Sequence, residues 1–102
     1  MVKNQAYNKA YLGLPEQLER RYPLLPFANH CYLRMALDHV LQGRWDLKLR
    51  RPAYRYLKES QVKAVQQVLQ GYLQNEDLIR RHNRQSKTYR QKWKKQQQQL
   101  PL

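Results

Sequence analysis

The stretch from Asn75 to Gln99, NEDLIRRHNRQSKTYRQKWKKQQQQ, limits the fold more than any other part of the chain. At 100° per residue, Leu78, Ile79, His82, Ser86, Tyr89 and Trp93 fall within one arc about 100° wide, which is the signature of an amphipathic α-helix. Asn75 is placed to cap that helix, and Glu76 and Asp77 suit its first turn. The rest of its surface carries Arg80, Arg81, Arg84, Lys87, Arg90, Lys92, Lys94 and Lys95, with no acidic residue between Arg80 and Leu102. One edge is fit to dock on a core and the other presents unopposed positive charge.

Two further stretches supply what such a helix could pack against. Residues 28–42, ANHCYLRMALDHVLQ, place Leu33, Ala36, Leu37, Val40 and Leu41 on one face with Tyr32 at its margin. Arg34 and Asp38 lie four apart on the opposite side, as an exposed supporting pair. Gly43 follows the last periodic residue and fits a left-handed C-terminal position. Residues 59–73, ESQVKAVQQVLQGYL, bring Val62, Val65, Val68, Leu69, Tyr72 and Leu73 into one stripe opposite a glutamine-rich face. Gly71 beside that stripe permits close helix approach, and the short turn at Asn75 predicts an antiparallel helical hairpin.

The shorter elements are a helix over 4–12, capped by Asn4, with Tyr7 and Tyr11 on one face, and a second helix from Pro15, whose Leu14, Leu18 and Tyr22 face inward. Between 44 and 57, Trp45, Leu47 and Leu49 alternate with Asp46, Lys48 and Arg50. No second run offers a strand partner, so the segment reads as an extended connection pinning Trp45 and Leu47 to the core. Pro52 then opens a single turn carrying Tyr54 and Tyr56. The fold expected is all-α: a small bundle of about five helices with a long basic C-terminal helix. It forms one domain over 1–95, followed by a Gln-rich flexible tail over 96–102.

Composition narrows the function. Across 102 residues, Lys and Arg number 20 against 7 Asp and Glu, a formal charge of +13. Such an imbalance favours polyanionic partners. A solvated helix face would mix charges, because like charges three and four residues apart repel. The single cysteine, Cys31, forms no internal disulfide and fits a reducing compartment. The N-terminal stretch lacks the apolar core of a secretory signal, and the chain is expected to be cytoplasmic and not to span a membrane.

Chemistry is poorly supported. His30 and Cys31 diverge by about 100° on a helix, His30 leaning toward the core face. His39 and His82 have no paired ligand at metal-binding spacing. His82 falls inside the apolar arc, as a hydrogen-bonded core histidine does. No phosphate-binding glycine loop and no nucleophile motif occurs, and the carboxylates have capping or pairing roles. The chain is expected to be no enzyme and to hold no metal or cofactor.

The function expected is a non-catalytic nucleic-acid-binding accessory protein, a subunit of a larger nucleoprotein complex. It would clamp the phosphate backbone of RNA or DNA with Arg80, Arg81, Arg84, Lys87, Arg90, Lys92, Lys94 and Lys95. Arg50, Arg51 and Arg55 would form a second strip, with Tyr54 and Tyr56 available for stacking on unpaired bases. Recognition by shape or backbone is expected, because no base-reading pattern is present. The alternatives are a protein–protein adaptor or inhibitor docking its basic helix on an acidic protein, and a homo-oligomer formed through the N-terminal tyrosines and the glutamine-rich face.

Overall fold

The structure is a computed structural model that describes residues 13–50, 53 and 56–99, the last seven of these as backbone only. Five helices and no strand occur among the described residues: α1 Leu14–Arg21, α2 Asn29–Leu41, α3 Trp45–Lys48, α4 Glu59–Gln74 and α5 Glu76–Gln99. The all-α bundle with a long basic last helix is therefore the fold. The helix expected over 4–12, with Tyr7 and Tyr11, lies outside the described residues, as do Arg51, Pro52, Tyr54 and Arg55.

Helix α2 is the hub, packing on α1, α3, α4 and α5. Its burial follows from that position: Tyr32, Met35, Ala36, Leu37 and Asp38 are all buried, while Leu33, Val40 and Leu41 are half-buried. The sequence points to one apolar stripe, but a helix contacted from several sides needs inward residues around much of its circumference. Met35 and Tyr32 fill that role. His30, expected to lean inward, is exposed, and Cys31 is half-buried.

Helix α1 turns Leu14, Leu18 and Tyr22 inward, with Pro15 in its first turn. The Tyr22 hydroxyl donates to the carbonyls of Tyr72 and Leu73 at 2.7 and 3.3 Å, which ties α1 to the end of α4. Those carbonyls belong to the last turn of α4, whose final acceptors have no partner within their own helix. Phe27, on the connection after Pro26, packs edge-on against Tyr32 at 5.8 Å between centroids.

Helix α4 buries Val62, Val65, Leu69 and Tyr72 and keeps its glutamine-rich side outward. The Gln61 side chain accepts from the Lys58 backbone N–H at 2.8 Å, satisfying a donor that precedes the first turn. A Cβ on Gly71 would meet Leu78 Cδ2 at 3.1 Å, so the glycine does sit at the close approach of α4 and α5. Asn75 separates the two helices, and its Oδ1 accepts from the N–H groups of Asp77 and Leu78 at 3.0 and 3.4 Å.

Two local expectations are corrected. The segment after Gly43 is not extended through Leu49: residues 45–48 form the single helical turn α3, and Leu47 is 55% exposed instead of docked. An alternation of six residues is too short to tell a strand from one turn of helix. At the end of α2 the left-handed residue is Gln42 (φ 55°) and not Gly43. Gln42 holds that backbone with its own side chain, whose Nε2 donates to the His39 carbonyl at 2.6 Å. Gly43 serves a different purpose: a Cβ there would lie 2.6 Å from Lys48 Cε, so its bareness lets the Lys48 side chain cross.

Candidate nucleic-acid interface and the polar seam behind it

Helix α5 presents two unlike edges. The inner edge carries Ile79, His82 and Ser86, all buried, flanked by half-buried Leu78 and Tyr89. These are members of the arc read from the sequence; the Trp93 side chain is not described. The outer edge carries Arg80, Arg81, Arg84, Lys87 and Lys92, all exposed. The side chains of Lys94 and Lys95 are outside the description.

The cations of α5 divide by their partners. Arg80 pairs with Glu76 at 2.5 Å and Arg81 with Asp77 at 3.5 Å, both one turn apart along the helix and both solvent-exposed. Exposed pairs of this kind contribute little, about 0.3–0.5 kcal/mol each, so an incoming anion displaces them at small cost. Arg84, Lys87 and Lys92 have no carboxylate partner among the described residues.

Arg90 departs from the expectation. Its side chain is 26% exposed and turns inward, donating from Nη2 to Asp38 Oδ1 and Oδ2 at 3.2 and 3.0 Å. Its Nη1 also lies 3.6 Å from Asp46. At 100° per residue Arg90 stands only about 40° from Ser86, so it borders the buried edge. Arg90 is a structural cation, not part of the outer field.

The second correction concerns Asp38, expected as an exposed partner of Arg34. Asp38 is 1% exposed. It accepts from Ser86 Oγ at 2.6 Å and from the Trp45 backbone N–H at 2.9 Å, in addition to Arg90. A buried carboxylate requires such multiple donors, because its desolvation costs several kcal/mol on the order of the ion pair itself. Beside it, Arg44 grips Asp46 through two hydrogen bonds of 2.8 and 3.0 Å. Burial pushes the Asp46 carboxyl up, but the Arg44 and Arg90 guanidiniums outweigh it and hold the group below its ordinary range. The same Asp46 contact raises the Arg44 guanidinium.

A second polar group lies further toward the hairpin. The rings of His39 and His82 stack at 3.9 Å between centroids. His39 Nδ1 pairs with Gln85 Oε1 at 2.9 Å, and His82 Nδ1 shares a 2.7 Å hydrogen bond with the buried Tyr72 hydroxyl. Burial, then the neighbouring His39 and Arg81, depress His82 to about 4. Burial raises the Tyr72 phenol well above its ordinary value. The neutral imidazole is thus the form that the fold accommodates.

Arg34 completes the seam without a carboxylate. Its Nη2 donates to Asn83 Oδ1 at 3.3 Å, and its Nε, like that of Arg90, is buried with no acceptor among the described residues. Arg34, Arg44, Asp46 and Arg90, together with His30, Leu33, Leu37 and Trp45, line an open cleft of about 450 Å³ between α2, α3 and α5. The sequence did not point to this cleft, since its members come from three separate stretches. The nearest signal is that residues 44–58 carry Arg44, Lys48, Arg50, Arg51, Arg55 and Lys58 against Asp46 alone.

Of the second strip expected, Arg50 and Tyr56 are exposed; Arg51, Tyr54 and Arg55 lie outside the described residues. No group of three or more potential metal ligands occurs among the described residues, and none of their helices is long and apolar enough to cross a membrane. No protein-family model matches the chain, and neither a curated protein nor a solved structure matches it.

Proposed function

We propose that this protein binds the phosphate backbone of RNA or DNA along the outer edge of α5, without catalysis, as an accessory component of a larger nucleoprotein assembly. The observation that carries this reading is that Arg84, Lys87 and Lys92 have no carboxylate partner among the described residues. Asp38, Asp46, Glu76 and Asp77 are instead held by Arg44, Arg80, Arg81 and Arg90. Residues 84 to 92 span about 12 Å of helix axis at 1.5 Å per residue, enough for successive phosphates of one strand. The formal charge of +13 supports the same reading, since it draws polyanions from a distance.

Neutralising phosphates releases condensed counterions, so affinity must fall steeply with salt. The test is a titration against labelled duplex and single-stranded oligonucleotides at two salt concentrations. On duplex DNA, log K should fall against log salt by about 0.9 per phosphate contacted. The double variant Arg84→Glu with Lys87→Glu should flatten that slope by about 1.8 if each side chain covers one phosphate. Absence of binding at low salt refutes the reading and favours docking of α5 on an acidic protein.

A further inference from the structure

We propose that the cleft between α2, α3 and α5 is a binding site for a phosphate monoester, with Arg34 as its principal charge partner. The proposal is independent of the outer edge of α5 and uses a different set of cations. Arg34, Arg44 and Arg90 line the cleft together with Asp46, and Arg90 also holds the buried Asp38. Both carboxylates are engaged by Arg44 and Arg90, so one positive charge remains uncompensated, and it resides on Arg34. Among the described residues its side chain bonds the neutral amide of Asn83 and no carboxylate. A half-buried guanidinium without a counter-charge is costly to the fold alone. An anion in the cleft supplies that charge with charge-assisted hydrogen bonds.

The shape of the cleft selects the rest of the ligand. Its volume of about 450 Å³ falls within the range of small-molecule sites and exceeds what a bare phosphate occupies. Leu33 and half-buried Trp45 provide apolar wall beside the guanidiniums. A phosphate carrying an organic body, such as a nucleoside 5′-monophosphate, matches that division into charged and apolar halves. The same chemistry occurs in a free nucleotide and at the 5′-phosphorylated end of a strand.

The test is calorimetric titration of the full chain with AMP, with adenosine and with inorganic phosphate at constant ionic strength. AMP should bind more tightly than either of the others. Arg34→Gln should weaken AMP at least about tenfold, the scale of a lost hydrogen bond to a charged group, while Arg84→Glu should leave it unchanged. Arg34→Lys keeps the charge and should recover part of the affinity, which separates loss of the site from loss of the fold. Adenosine binding as well as AMP, or Arg34→Gln and Arg84→Glu weakening AMP equally, overturns the proposal. A 5′-phosphorylated oligonucleotide preferred over its 5′-hydroxyl counterpart, with the preference lost in Arg34→Gln, assigns the strand end as the source. Equal binding of the two oligonucleotides with AMP binding intact assigns the free nucleotide.

Discussion

Arg84 and Arg90 stand six residues apart on one helix and do opposite things. Arg84 faces outward with no carboxylate partner among the described residues, whereas Arg90 turns inward to Asp38 and Asp46. The inner edge of α5 uses charge to hold the molecule together; the outer edge leaves charge available to a partner. The lesson is that cationic residues on a helix cannot be pooled into one binding surface. Each must be weighed by whether an acid of its own chain already answers it.

The largest expected effect falls on the inner edge. Replacing Asp38 with Ala removes the carboxylate that accepts from Arg90, Ser86 and the Trp45 N–H, leaving Arg90 only its longer approach to Asp46, and should cost about 3–5 kcal/mol of stability, measured by urea denaturation. An Asp38→Ala protein as stable as the parent would place the pair outside the fold's energetics and dissolve the contrast with Arg84.

Acidification probes the same edge at the histidine stack. His82 is held neutral down to about 4 when folded, against an ordinary value near 6.5. The unfolded chain therefore takes up a proton that the folded chain refuses, and stability present above pH 6.5 is lost as pH falls toward 4. From pH 8 to pH 5 the loss from this group is about 2 kcal/mol. The depressed Asp46 contributes in the same direction, at lower pH. The difference should appear in denaturation midpoints and shrink in His82→Gln.

On the outer edge stability should hardly move. Arg84→Glu with Lys87→Glu should alter it by no more than about 0.5 kcal/mol while the salt slope for nucleic acid flattens. A smaller effect still belongs to Gly71→Ala. Helix propensity favours alanine by about 1 kcal/mol, and the new Cβ meets only the end of the Leu78 side chain at 3.1 Å. A net gain below about 1 kcal/mol follows, readable as a slight rise in Tm; a loss would show Leu78 to be locked in place.

Much of the long helix was legible because a period of 3.6 residues is a property of the chain itself. Leu78, Ile79, His82 and Ser86 face inward as their spacing requires, and Asn75 caps as its type and position require. Asp38 was illegible for a physical reason. Its spacing to Arg34 matches a common surface pair, and nothing local records that Ser86, Trp45 and Arg90 supply better donors. Buried ion pairs are made between distant segments, so their signature is absent from either segment alone. The cleft at Arg34 was hidden in the same way, because it arises only when α2, α3 and α5 come together.

Hydrogen-bonded contacts between α2 and α5 also act as a stop against sliding. Oily surfaces tolerate a slip of one turn, about 5.4 Å, because one methyl group replaces another. Here that displacement would carry Ser86 and Arg90 away from Asp38 and Gln85 away from His39. The outward basic side chains are consequently held like marks on a fixed scale, and whatever lies against them meets the same spacing every time.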